Sequence, residues 1–354
     1  MLISILMIIV GFILLIKGAD FLVDGASGVA KKFKIPEMII GLTIVAMGTS
    51  MPELMVSLSS ALEGHSDISL GNVIGSNLAN ILLILGICAW MKKINIPKAT
   101  RRIENPLSLI ITIILFALCL NAGSVKNISQ GEGILLLLLF AAFLIYLFVS
   151  AKKSKDNENL EVITKVEEGN EVTQNISTNI ENKEQEKETV DKDKIVLNRN
   201  TIRTFILDII KIGVGILGLK YGADFVIDHA VNVATIMGIS EKIIGVTIIA
   251  VGTSLPELVA SVTAVMKGEN NMAVGNIVGS NIFNILLILG ISSSICPINY
   301  SESYNFDMVY LIIASALLAI FPYIGKSTRA LDRMEGIIFF FMYVGYIATL
   351  IFLR

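Results

Sequence analysis

Charge is what this 354-residue chain has least of: 16% of its residues are Asp, Glu, Lys or Arg, against 54% hydrophobic ones. Nine of its 28 Lys and Arg and twelve of its 30 Asp and Glu fall between residues 151 and 200, so the rest of the chain is poorer still. The formal net charge of −2 singles out no partner, and no nucleic-acid partner is expected. Cysteine is nearly absent too. Cys88, Cys119 and Cys296 have no paired spacing, which argues against disulfides and against a thiolate metal site and leaves them as small buried hydrophobes. The two histidines, His65 and His229, sit in or beside short loops without counterparts, so they read as solvated. Residues 1–16 lack the basic start of a signal peptide and continue through Lys17 to Asp24, which reads as a first, retained span.

What the chain has instead is long apolar runs, with a mean hydropathy of +0.75. Runs near 20 residues are long enough to cross a bilayer, and ten are expected, at about 3–23, 36–62, 68–91, 105–120, 131–150, 203–227, 240–266, 272–295, 306–323 and 333–353. The fold class is therefore an all-α polytopic membrane protein with the lipid bilayer as its partner. The single tryptophan, Trp90, reads as an interface anchor. Residues 1–150 and 201–354 form two five-span halves. Residues 151–200, rich in Glu, Lys, Asn and Thr, read as a disordered linker.

The halves are copies. Gly18-Ala-Asp-Phe21 returns as Gly222-Ala-Asp-Phe225, and Ile39-Ile-Gly-Leu-Thr43 as Ile243-Ile-Gly-Val-Thr247. Gly48-Thr-Ser-Met-Pro-Glu-Leu54 returns as Gly252-Thr-Ser-Leu-Pro-Glu-Leu258, and Gly71-Asn-Val-Ile-Gly-Ser-Asn-Leu-Ala-Asn80 as Gly275-Asn-Ile-Val-Gly-Ser-Asn-Ile-Phe-Asn284. Two homologous halves with an odd number of crossings enter the membrane from opposite sides, which makes an inverted repeat. Placing the N-terminus outside collects Lys31, Lys32, Lys34, Lys92, Lys93, Lys98, Arg101, Arg102, Lys267, Lys326, Arg329 and Arg333 on the cytoplasmic side, together with the linker.

A glutamate inside an apolar span is costly, and such residues mark ion pathways. Pro52 and Pro256 deny a hydrogen bond to the carbonyls of Gly48 and Gly252, so each helix breaks at mid-membrane, where freed carbonyls need protein or a cation as partner. Thr49, Ser50 and Glu53 share one helical face, and Thr253, Ser254 and Glu257 repeat it. On the next span Asn72, Ser76 and Asn80 form a polar stripe, repeated by Asn276, Ser280 and Asn284. Asn77 and Asn281 point off that stripe and fit interhelical contacts as well as ligation. The glycine pairs 71/75 and 275/279 are expected to let the two motif helices of each half pack closely. Asp20, Asp24, Asp224 and Asp228 read as interfacial, and Glu132 and Glu335 as helix starts. An all-oxygen set suits a hard cation such as Ca²⁺ and disfavours zinc, copper or iron. Two facing carboxylates need their charge compensated. One Ca²⁺ does so, and so do two Na⁺ or two H⁺.

The paired Gly-Thr-Ser-x-Pro-Glu-Leu and Gly-Asn-x-x-Gly-Ser-Asn blocks resemble the alpha repeats of the sodium/calcium exchanger family, of prokaryotic type, within the cation/Ca²⁺ antiporter superfamily. The resemblance implies Glu53 and Glu257 as central ligands. Thr49, Ser50, Ser76, Thr253, Ser254 and Ser280 would add oxygens, and Asn80 and Asn284 would complete the two ends. It also implies that the first and sixth spans move across the other eight. Some relatives carry Asp where this chain has Asn80 or Asn284, a departure that argues against K⁺ dependence. The expected function is Ca²⁺/Na⁺ antiport with no enzymatic activity and no cofactor. H⁺ is the rival counter-ion, and a cation channel or a membrane-embedded hydrolase are the other classes. Nothing in the sequence excludes a monomer.

Overall fold

Once water is excluded, a long apolar segment can satisfy its backbone groups only as helix or as closed barrel, and the described apolar segments of this chain take the helical solution. The computed structural model describes residues 2–63, 66–120, 127–170, 186–237, 250–324 and 329–352. In chain order the helical elements are α1 (Leu2–Phe33), α2 (Glu37–Thr49), α3 (Met51–Leu62), α4 (Ile68–Met91), α5 (Thr100–Cys119), α6 (Gln130–Asn170) and α7 (Glu186–Ile236). They continue as α8 (Ala250–Thr253), α9 (Leu255–Lys267), α10 (Asn270–Ile295), α11 (Glu302–Ile324) and α12 (Arg333–Phe352). Among the described residues seven helices are individually long and apolar enough to span a bilayer, and α2 with α3 makes an eighth, bent span. The apolar part of α7 carries Lys211, Lys220 and Asp224, and α9 follows residues 238–249, which lie outside the described set.

Among the described residues four two-residue strands fix how the ends of the spans meet. Strand β1 (Ile94–Asn95) pairs antiparallel with β4 (Ala330–Leu331), and β2 (Asn127–Ile128) with β3 (Ile298–Asn299). Each ribbon joins one half to the other. The first ties the α4–α5 connection to the α11–α12 connection, the second ties α5–α6 to α10–α11, and the two lie at opposite ends of the spans. Ile94 corresponds to Ile298 in the repeat and Ile128 to Leu331, so a two-fold pseudo-symmetry exchanges the ribbons. That exchange is the inversion expected from five spans per half. Helix starts repeat as well: the Glu132 carboxylate accepts from the Ser129 N–H at 2.7 Å, and that of Glu335 from the Asp332 N–H, which satisfies orphan donors at both helix N-termini.

Helices α1 and α7 run antiparallel in intimate contact. A β-carbon on Gly18 would lie 2.7 Å from the Leu219 nitrogen, one on Gly215 2.6 Å from that of Leu22, and one on Gly11 2.9 Å from the Gly222 oxygen. Glycines at seven-residue spacing therefore let α1 and α7 touch backbone to backbone. At 32 residues α1 is about 48 Å long, more than the roughly 30 Å hydrocarbon core, so it is tilted or projects. Beside it α4 and α10 form the centre, with 78% and 89% of their apolar windows buried.

Two expectations are corrected. The connection read as a disordered linker over 151–200 is helical in 151–170 and 186–200, as continuations of α6 and α7. Its Glu and Lys are good helix formers, and each extension grows from a helix already nucleated in the span, so no core of its own is required. Residues 171–185 lie outside the described residues. The second correction concerns Gly275 and Gly279. A β-carbon on Gly275 would lie 2.5 Å from the Met38 oxygen, and one on Gly279 2.9 Å from Leu42 Cα. These glycines receive α2 of the other half rather than the partner helix of their own, because the inverted copies interlock across the pseudo-two-fold. Residues 243–247, the repeat copy of 39–43, lie outside the described residues.

Candidate functional site

Each motif helix breaks at the serine before its proline. Ser50 has φ −82° and ψ 8°, Ser254 φ −87° and ψ 6°, and in both copies proline occupies the first turn of the helix that follows, where its missing N–H costs nothing. The first break bends the span by 49°. Glu53 and Glu257 therefore sit in the first turns of α3 and α9, where the positive end of a helix dipole favours a carboxylate. Both are deeply buried, at 1% and 0% exposure.

The two breaks meet. The Ser50 hydroxyl, one turn before Glu53, donates to Glu257 Oε1 at 2.8 Å across the halves. Thr49 donates to Asn276 Oδ1 at 3.0 Å, also across the halves. Around them lie buried oxygens with no hydrogen-bond partner: both carboxylate oxygens of Glu53, Oε2 of Glu257, the hydroxyls of Ser76, Thr253, Ser254 and Ser280, and Oδ1 of Asn80 and Asn284. A buried polar atom without a partner costs about 1–3 kcal/mol, more when charged. All nine of these atoms are oxygens, the atom type that could hold a hard cation. All ten residues predicted for the site are buried in this region, none above 6% exposure.

The asparagines on α4 and α10 divide the work. Asn72 donates to the Glu53 main-chain oxygen at 3.3 Å and to Ser57 Oγ at 3.1 Å; Asn276 donates to Ser261 Oγ at 2.9 Å. These contacts join the motif helices within each half. Asn80 donates its amide to Asn281 Oδ1 at 3.0 Å, and Asn284 donates to Asn77 Oδ1 at 2.9 Å. With its nitrogen spent on the opposite half, each of these two amides is left with a free carbonyl oxygen. Asn80 lies in a π-helical turn (Ala79–Ile84), and Asn284 opens another (Asn284–Leu289); such turns interrupt regular helical bonding and recur at functional sites. Ser57 and Ser261 were not among the predicted site residues. Their signal was present: they are the same residue type 204 positions apart, on the helices that carry the glutamates.

The sodium/calcium exchanger protein family model matches residues 3–149 and 208–352. The chain belongs to the sodium/calcium exchanger family. Among relatives, it is 33% identical over 356 residues to the sodium/calcium exchanger MaX1 of Methanosarcina acetivorans, covering 99% of both chains. It is 33% identical over 331 residues to the inner membrane protein YrbG of Escherichia coli, covering 90% of this chain and 89% of that one. Among solved structures it resembles the sodium-calcium exchanger NCX_Mj, with a TM-score of 0.74 and 28% identity over 99% of both chains. The family and the apolar spans make the chain a multi-pass membrane protein of a transporter family.

Proposed function

We propose that the protein is an antiporter that exchanges Ca²⁺ for Na⁺ by alternating access around a cage formed by these buried oxygens. Glu53 and Glu257 are its central ligands. Thr49, Ser50, Ser76, Thr253, Ser254 and Ser280 supply hydroxyls, and Asn80 and Asn284 supply amide oxygens at its ends. The observation that carries this reading is the set of nine unpartnered buried oxygens, three of them on two carboxylates contributed by opposite halves. Ca²⁺ takes six to eight oxygen ligands, and mixed carboxylate, carbonyl and hydroxyl sets meet that demand. The two carboxylates together carry the charge that one Ca²⁺ or two Na⁺ cancels. A cancelled cage can be sealed from water on both sides; a bare pair of carboxylates resists that desolvation. Exchange follows, since one ion leaves only as others take over its charge. The names of MaX1 and NCX_Mj support Na⁺ as counter-ion. The positive-inside distribution supports an external N-terminus and a cytoplasmic α6–α7 connection.

The test is ⁴⁵Ca²⁺ uptake into sealed proteoliposomes under an imposed Na⁺ or H⁺ gradient. Wild-type uptake should follow the Na⁺ gradient, and Glu53→Gln and Glu257→Gln should each abolish it. Uptake that follows only the proton gradient would refute the Na⁺ assignment. Full uptake in either variant would refute the site.

A further inference from the structure

At the end of the molecule that carries the β1–β4 ribbon, a cavity of about 380 Å³ is lined by Ile96, Lys98, Arg101, Arg102 and Arg329. Four of its five lining residues are cations and none is acidic. Among the described residues none of the four forms an ion pair. Like charges gathered without counter-charge repel one another, so the cluster calls for an anion.

Two further observations point the same way. Arg101 is only 8% exposed, and its Nε is buried without an acceptor. The side chain is nonetheless fixed: its guanidinium lies 5.1 Å from the Tyr323 ring centre, and its main-chain oxygen accepts from the Tyr323 hydroxyl at 3.1 Å. Arg329 has φ +86°, a left-handed conformation in which glycine is at home and a residue with a β-carbon is strained. Hydrogen bonds hold it there, from its N–H to the Pro322 oxygen at 2.9 Å and from the Ile96 N–H to its own oxygen at 2.8 Å. Keeping arginine where the backbone prefers glycine is the kind of strain that collects at ligand sites.

We propose that this pocket binds a phosphate group, held by the guanidinium forks of Arg101, Arg102 and Arg329 with Lys98 as a further point charge. Its source is either an anionic phospholipid headgroup at the membrane surface or free phosphate in solution. A phosphate bound there bridges the start of α5 in the first half and the turn before β4 in the second, so it stabilises the join between halves.

The experiment uses the full chain in phosphatidylcholine nanodiscs, with phosphatidylglycerol or inorganic phosphate added. It reads the unfolding temperature and the lipid retained, the latter by native mass spectrometry. The wild type should be stabilised by one of the two probes: phosphatidylglycerol alone identifies the headgroup, and inorganic phosphate in pure phosphatidylcholine identifies the soluble anion. Arg102→Gln and Arg329→Gly should each weaken apparent affinity for that probe about fivefold, the worth of one cation near such a surface. Arg329→Gly also relieves the backbone, so in pure phosphatidylcholine it should unfold no earlier than the wild type. Lys152→Gln, at the same end of the spans but outside the pocket, should leave the response unchanged. The proposal is overturned if neither probe stabilises the wild type, or if Lys152→Gln loses as much as Arg329→Gly.

Discussion

Asn77 and Asn281 contribute none of the cage's free carbonyl or carboxylate oxygens, yet each grips an asparagine that does. Asn77 Oδ1 takes the amide of Asn284, and Asn281 Oδ1 takes that of Asn80. Without that grip an amide can rotate and present N–H groups to a cation. Asn77→Leu keeps the volume and removes the acceptor, so it should raise the Ca²⁺ concentration for half-maximal uptake by about 10–100-fold, the usual cost of losing a partner that orients a ligand. An unchanged concentration dependence with a well-folded variant would contradict the assignment. At this scale the sequence was informative in an uneven way. The duplicated carboxylates, hydroxyls and stripe asparagines announced themselves by type, spacing and cost of burial. The role of Asn77 and Asn281 did not, because it depends on α4 crossing α10 of the other half, and no local pattern encodes that crossing.

Glycine decides how the elements approach. A β-carbon on Gly41 would meet the Met272 oxygen at 2.4 Å, backbone that cannot swing aside. Gly41→Ala should therefore destabilise the protein by about 1–3 kcal/mol. Gly345→Ala, where nothing stands within 4 Å, should be neutral or stabilising by up to about 1 kcal/mol. Thermal unfolding in detergent separates the two, and equal effects would show that helix propensity rather than close approach is being measured. The small-residue spacing was legible in sequence, but its partner was misread, since spacing says that a helix comes close and not which one.

The connection after α9 holds α1 by polar contacts. Glu269 Oε1 accepts from Ser27 at 2.8 Å and lies 3.4 Å from Lys31 Nζ, and Lys267 reaches Asp24 at 2.8 Å. Burial works against ionised Glu269, but hydrogen bonds shared with Glu37 and Ser27 and the charge of Lys31 outweigh it and hold the carboxyl below its ordinary value. A lowered carboxylate stabilises the fold above its ordinary titration range and loses that contribution as pH falls through the lowered value. Wild type should thus unfold later than Glu269→Gln at neutral pH, with the gap closing below about pH 4. A gap that persists or widens in acid would exclude this tie.

Across the whole molecule, two inverted halves meet at the buried helix breaks that carry Glu53 and Glu257. The ribbons fasten the halves at both ends, α4 and α10 form the buried centre, and α1 with α7 lies along it as a closely packed pair. The odd span count and the repeats made this architecture legible from sequence. The helical extensions of α6 and α7 were not, because a composition too polar to build a core still permits helix growing out of one. The central claim, that both carboxylates serve a single cation whose charge must be replaced, is tested most directly by calorimetric titration of Ca²⁺ into purified protein without Na⁺. The wild type should bind Ca²⁺ at the cage, Na⁺ should displace it, and Glu53→Gln and Glu257→Gln should each lose it entirely. Undiminished Ca²⁺ binding in either single variant would contradict the account.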